Sequence, residues 1–185
     1  MNKAVFLDRD GTIIEDVGAV GACEQVEFYP DSFEALRRLG EEFLLILVTN
    51  QRCIADGLVT PDQVNAVNDY VIATLASEGI TISDVYVCPH KRSENCECIK
   101  PKTFFAEKAA GKHNIDLKRS FSIGDHPHDV QLGVNAGGRG VYVLTGHGAN
   151  HLPELPDGTI VTDGITQAVD YILSIDSQGQ DPSDG

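Results

Sequence analysis

The chain has 185 residues, 42% of them hydrophobic, and a net charge of −14 from 14 basic and 28 acidic side chains. That length suits one domain with a single large core, and the acid excess argues against nucleic acid or an anionic membrane surface as a partner. No apolar stretch approaches the roughly 18 residues of a membrane span, and no basic segment leading into an apolar one opens the chain, so the expectation is a cytoplasmic monomer.

In chain order, Ala4-Val5-Phe6-Leu7 is a short strand that runs into Asp8-Arg9-Asp10-Gly11-Thr12. Asp31 followed by Glu34 marks a helix start, with Phe33, Leu36 and Leu39 spaced to face the core. Leu44 to Val48 is a buried-strand run closing on Thr49 and Asn50. Thr60-Pro61-Asp62 is a second helix start, with a hydroxyl cap, a proline in the first turn and an acid at the positive end. Val64, Val67, Val71 and Leu75 then share one stripe of that helix. Further strands are expected at Val85–Val87, Phe121–Ile123, Val141–Leu144 and Thr159–Val161. Helices are expected at Phe104–Lys112, Val130–Asn135 and Ile165–Leu173. This alternation predicts an α/β fold of three layers: a Rossmann-like, mainly parallel sheet with helices on both faces. Residues 1–175 read as one domain with no large cap domain, and residues 176–185 as a disordered tail.

The chemistry-bearing residues fall where strands end, which is where open α/β sheets build their sites. Asp8 and Asp10, one residue apart after a strand, form a device for phosphoryl transfer. One carboxylate can attack phosphorus, and the other can protonate the leaving oxygen and then deprotonate water. Two such anions repel each other and any phosphate, so a divalent cation is required beside them. Gly11 lets the backbone turn sharply under the phosphate. Thr49 and Asn50 offer a hydroxyl and an amide to phosphoryl oxygens, and Lys100, before Pro101, offers an ammonium. Phe121-Ser122-Ile123-Gly124-Asp125 ends a further strand on a carboxylate, with Asp129 placed to hold Lys100 or a metal-bound water. The partner this implies is a small phosphorylated metabolite.

Three of the five cysteines lie with a histidine in Cys88-Pro89-His90 and Cys96-Glu97-Cys98. Two tight pairs separated by five residues can supply a Cys3His set to a tetrahedral, structural Zn2+ that pins the loop leading to Lys100. A disulfide among them would be foreign to a cytoplasmic chain. Cys23 and Cys53 read as ordinary cysteines. His126 and His128, beside Asp125, are placed to touch metal or phosphate, with solvated loop histidines as the simpler reading; His147 and His151, in a Gly-rich turn, read the same way.

Asp-x-Asp-Gly-Thr, Thr-Asn, Lys-Pro and Gly-Asp-x-x-x-Asp, in this order, resemble the four signature motifs of the haloacid dehalogenase superfamily, and Asp10 places the chain on its phosphatase branch. The zinc loop directly before Lys-Pro, with Thr49-Asn50-Gln51-Arg52-Cys53-Ile54-Ala55-Asp56-Gly57 and Leu144-Thr145-Gly146-His147-Gly148, is similar to the group of heptose-bisphosphate phosphatases and histidinol-phosphatases. The resemblance covers residues 4–148. It implies Asp8 as nucleophile and Asp10 as general acid/base, with Thr49 and Lys100 completing the catalytic set. It also implies Mg2+ held by Asp8, the Asp10 carbonyl and Asp125, and substrate contacts from Asp16, Asn50, Gln51 and Arg52. The group typically carries arginine before the catalytic lysine, where this chain has Ile99. Position 99 is therefore expected to touch substrate and set its choice, with Ile99→Arg improving turnover of a bisphosphate. The implied reaction is removal of a phosphate from a small sugar phosphate, the 7-phosphate of a heptose 1,7-bisphosphate. Histidinol phosphate hydrolysis and a non-catalytic phosphate-binding module are the alternatives.

Overall fold

Six strands and six helices alternate along the chain in the computed structural model, which describes residues 1–178. The strands are β1 (Ala4–Leu7), β2 (Leu44–Asn50), β3 (Ile82–Cys88), β4 (Phe121–Gly124), β5 (Arg139–Val143) and β6 (Ile160–Thr162). They form one sheet in the order β3-β2-β1-β4-β5-β6, and every pairing is parallel. The helices are α1 (Ser32–Gly40), α2 (Pro61–Ser77), α3 (Phe104–His113), α4 (Pro127–Asn135), α5 (Gly148–His151) and α6 (Ile165–Gln178).

A strand buried on both faces must be apolar on both, and its alternate side chains must serve different cores. Val5 and Leu7 of β1 and Leu45 and Leu47 of β2 pack with Leu36 and Leu39 of α1 and with Val169 and Ile172 of α6. Ala4 and Phe6, with Ile46 and Val48, pack on the other side against Phe105, Ala106 and Ala109 of α3 and Leu132 of α4. The strand order reverses direction between β1 and β4. At such a switch point the loops leaving neighbouring strands diverge and open a crevice at the carboxyl ends. Asp8 follows β1 and Asp125 follows β4, so the two carboxylates flank that crevice.

Several element boundaries differ from the sequence expectation. The α4 helix begins at Pro127 rather than Val130, because proline suits the first turn and Asp129 accepts from the His126 backbone N–H at 3.0 Å. The β5 strand starts at Arg139, since Arg139 and Gly140 pair with Phe121 and Ser122. The β3 strand starts three residues before Val85. The α6 helix continues past Leu173, and Asp176, expected in the tail, is held by the Lys3 ammonium at 2.6 Å. The remainder of that expected tail, residues 179–185, lies outside the described residues. Among the described residues no helix is long and apolar enough to cross a membrane.

Candidate active site

Asp8 leaves β1 with one carboxylate oxygen, Oδ1, already committed. It accepts from the Arg9 backbone N–H at 2.8 Å and from the Lys100 ammonium at 2.9 Å. Lys100 arrives from the loop after β3 and is buried; its Nζ also reaches Asp129 Oδ1 at 2.6 Å and the Val48 carbonyl at 2.9 Å. Three acceptors satisfy its three N–H donors. Burial alone would lower the lysine pKa, but the Asp129 and Asp8 carboxylates outweigh it and hold the ammonium above its ordinary value.

Asp129 performs both tasks that its position allows. Oδ1 binds Lys100 while Oδ2 caps α4 through the His126 N–H. Asp125 completes a group of three carboxylates with Asp8 and Asp129, whose oxygens lie within 4.8 Å of one another. Burial, then the neighbouring Asp8 and Asp129 charges, push the Asp125 carboxyl up to about 8. One ammonium does not balance three close carboxylates, and a hard divalent cation fits this oxygen set. Both Asp129 oxygens are engaged by protein donors, so Asp8 and Asp125 are the side chains fitted to hold such an ion.

The Asp10 side chain turns the other way. Its carboxylate receives Arg9 Nε at 3.1 Å and Arg9 Nη2 at 2.8 and 2.9 Å, together with Gln51 Nε2 at 2.6 Å. Arg9 is fully buried and is anchored in turn by Asn68 Oδ1 of α2 at 2.7 Å. Burial raises the Asp10 pKa and the Arg9 charge opposes it, with a net upward shift. Gln51 also donates to Thr49 Oγ1 at 2.8 Å and accepts from the Cys53 thiol at 3.3 Å. Gln51, expected to touch substrate, is instead buried with its amide consumed in orienting Asp10 and Thr49. Cys53 is a core residue beside Val59 and Val64, and burial pushes its thiol pKa up.

The loops after β1 and β5 are stitched together over Asp125. Thr145 Oγ1 donates to the Gly11 carbonyl at 2.6 Å, the His147 N–H donates to Asp125 Oδ2 at 2.7 Å, and the Gly146 N–H donates to Tyr29 Oη at 3.0 Å. A Cβ on Gly11, whose φ is +76°, would overlap the Asp125 carboxylate, so this turn tolerates glycine alone. Asp16 pairs with His147 Nε2 at 3.2 Å and caps the Gly18 N–H at 2.7 Å. Asn50 Oδ1 accepts from the Lys100 N–H at 3.2 Å. Its amide group remains a donor.

One expected substrate contact is buried in the core, and another projects into solvent. Ile99 is 8% exposed and packs among Cys96, Cys98 and Phe105; in the turn closed by the Lys102 N–H on the Ile99 carbonyl at 2.9 Å, Lys100 reaches the carboxylates while Ile99 stays in the core. The Arg52 side chain is 83% exposed and faces Asp56 at 3.8 Å.

Cys88, His90, Cys96 and Cys98 converge as one cluster. The sulfur–sulfur separations are 3.2 to 3.6 Å, and His90 Nδ1 lies 3.3 and 3.8 Å from Cys98 and Cys88. A disulfide needs about 2.05 Å between sulfurs, whereas a tetrahedron with a metal–sulfur bond of about 2.3 Å has edges of about 3.8 Å. The geometry is that of a metal cradle.

His126, His128 and His151 are half-buried and packed together rather than solvated. The His126 and His128 rings stack at 4.2 Å, and His151 lies 4.5 Å from His126. Burial, then the His126, Arg92 and Lys100 charges, lower His128 to about 4. Arg9, Asn68 and Tyr29 were not singled out as site residues from the sequence, because Asn68 and Tyr29 are remote along the chain from the groups they hold.

A parallel sheet of this order, with a carboxylate pair and a buried lysine at its switch point, defines a hydrolase of the haloacid dehalogenase-like class. A family model described as HAD-hydrolase-like matches residues 97–168. The chain is 38% identical to D-glycero-beta-D-manno-heptose-1,7-bisphosphate 7-phosphatase of Helicobacter pylori, over 92% of this chain and 97% of that one. It is also 38% identical to the enzyme of the same name from Pasteurella multocida, over 74% and 78% of the two chains. A crystal structure of D,D-heptose 1,7-bisphosphate phosphatase from Bordetella bronchiseptica, complexed with magnesium and phosphate, superposes with a TM-score of 0.85 at 30% identity. That match covers 94% of this chain and 99% of the other. The chain belongs to the haloacid dehalogenase-like phosphatase family.

Proposed function

We propose that this phosphatase removes the 7-phosphate of D-glycero-D-manno-heptose 1,7-bisphosphate through an aspartyl-phosphate on Asp8. The observation that carries the chemistry is the double engagement of Asp8 Oδ1 by Arg9 N–H and Lys100. It fixes the carboxylate rotamer and leaves Oδ2 as the nucleophilic oxygen. A magnesium ion held by Asp8, Asp125 and the Asp10 carbonyl would offset charge on the phosphoryl oxygens. Thr49 and the Asn50 amide donate to those oxygens, and Lys100 keeps the nucleophile aligned.

Asp10 is the general acid/base: in its protonated form it gives a proton to the leaving sugar oxygen, and its conjugate base then takes a proton from the water that attacks the phosphorus of the intermediate. The Arg9 and Gln51 contacts hold its carboxylate out of the metal cradle, so acid/base and metal-binding tasks fall to different groups. Asp16, Asn50 and Arg52 remain candidates for contact with the sugar. Cys88, His90, Cys96 and Cys98 would hold a structural Zn2+, which would pin the loop that delivers Lys100.

The relatives named above favour the heptose bisphosphate over histidinol phosphate, and occupation of every catalytic position favours turnover over a binding module. The test is phosphate release from the heptose bisphosphate with saturating Mg2+, comparing wild type with Asp8→Asn. Wild type should turn over, and the asparagine variant should be inactive because its amide cannot attack phosphorus. Turnover by Asp8→Asn within tenfold of wild type would end the covalent reading.

A further inference from the structure

Asn68 is a polar residue at a core position. It falls on the buried stripe of α2 with Val64, Val67, Val71 and Leu75, and 3% of its surface is exposed. Its Nδ2 has no hydrogen-bond partner among the described residues, a cost that an apolar side chain there would not carry. The engaged atom of its side chain is Oδ1, which accepts from Arg9 Nη1 at 2.7 Å. A guanidinium only donates, so the amide must turn its oxygen to Arg9 and leave its NH2 unmatched.

What that oxygen secures is the orientation of Asp10. Arg9 is fully buried, and its Nε and Nη2 grip the two Asp10 oxygens at 2.8 to 3.1 Å. The guanidinium is a rigid planar fork whose edges turn together. Asn68 on one edge therefore sets the plane in which Asp10 is held on the other. The Arg9 backbone is fixed separately: its N–H donates to Asp8, and its carbonyl accepts from the Ile13 and Ile14 N–H groups at 2.9 and 3.1 Å. The bond from α2 thus constrains the acid while the nucleophile keeps its own anchors.

We propose that Asn68 is a positioning residue for the general acid. Acting through Arg9, it sets the direction from which Asp10 protonates the leaving oxygen as the Asp8–phosphorus bond forms and the phosphorus–oxygen bond breaks. The inference rests on the acid role given to Asp10 in the proposed function, and it adds to that role a residue of α2 remote in the chain.

The test is a leaving-group comparison at saturating Mg2+. A sugar alkoxide needs a proton to depart, whereas p-nitrophenolate leaves without one. Because kcat/KM covers the steps up to that departure, it reads the acid and not the later attack of water. It is measured on the heptose 1,7-bisphosphate and on p-nitrophenyl phosphate for wild type, Asp10→Asn, Asn68→Leu and Asn68→Asp, with thermal unfolding as the check on folding. Asp10→Asn calibrates the comparison and should lose ~100-fold or more on the bisphosphate, and far less on the nitrophenyl ester. Asn68→Leu, branched like asparagine but without an acceptor, should lose ~10- to 100-fold on the bisphosphate and stay within ~threefold of wild type on the ester. Asn68→Asp keeps an oxygen facing Arg9 and should recover most of that loss. Should the leucine variant fail to fold, Arg9→Lys, which keeps a cation beside Asp10 and severs the bond to Asn68, should show the same bias. Equal losses on both substrates, or an aspartate variant no better than leucine, would overturn the positioning role and leave the phosphatase reading standing. An Asp10→Asn variant without bias, or a wild type inactive on the bisphosphate, would instead overturn the reading on which the inference rests.

Discussion

Replacing Lys100 with methionine probes the electrostatic balance of the whole site. The ammonium is the direct cationic partner of Asp8 at 2.9 Å and of Asp129 at 2.6 Å, and Asp129 is almost fully buried. Methionine keeps the apolar stem and removes the charge. Stripping one partner from a buried ion pair costs ~3–5 kcal/mol, because the remaining charge is left uncompensated. For a domain of this size each kcal/mol moves Tm by ~2–4 °C, so the metal-free variant should melt ~6–20 °C below wild type at pH 8. At pH 5.5 the deficit should shrink, since Asp129, already pushed up by burial, then takes up a proton. Loss of the cation that aligns Asp8 should also lower kcat by ~100- to 1000-fold, by analogy with removal of a single preorganised electrostatic contact. The assay is thermal unfolding at both pH values without Mg2+, followed by phosphate release with saturating Mg2+. A variant melting within 2 °C of wild type at pH 8, or turning over within tenfold of it, would refute the reasoning.

Stability of the magnesium-free protein should fall as pH rises from roughly 4 to 8. Asp125 titrates near 8 when folded against an ordinary value of 3.8, so across that window the folded state holds a proton that the unfolded state has lost. Added Mg2+ competes with that proton, and its Tm increment should therefore be larger at pH 8 than at pH 5.5; an equal increment would count against the Asp8–Asp125 cradle. Ile99→Arg, expected from sequence to improve bisphosphate turnover, should instead destabilise the protein by ~3 kcal/mol or more, because it places a guanidinium in an apolar cluster. Urea unfolding measures this, and a stable variant with improved kcat/KM would restore the sequence expectation. Elemental analysis should find one zinc per chain in wild type and less in Cys96→Ser, which should also lose stability and activity through the loop that carries Lys100. Full activity in a zinc-free protein would remove the pinning role.

Strand positions, the parallel alternation and the placing of Asp8, Asp10 and Asp125 at strand ends were legible in the sequence because each depends on residues close in the chain. A strand buried on both faces shows as an apolar run, and Asp8, Asp10 and Asp125 are marked by their place just beyond such runs. The Cys3His set was legible for the same reason, since all four ligands lie between Cys88 and Cys98. Tertiary structure decided what else surrounds those groups. Arg9 reads as one more charge until Asn68, 59 residues away, receives its guanidinium. Gln51 reads as a substrate contact until Asp10 occupies its amide. Ile99 and Lys100 are neighbours in sequence, yet the loop turns one into the core and the other toward three carboxylates. His126, His128, His151 and Arg92 come from three separate segments that only the fold packs together. Local pattern marks a residue's chemistry, but the partners that orient it are brought in by long-range packing of the sheet, which leaves no periodic trace in the chain.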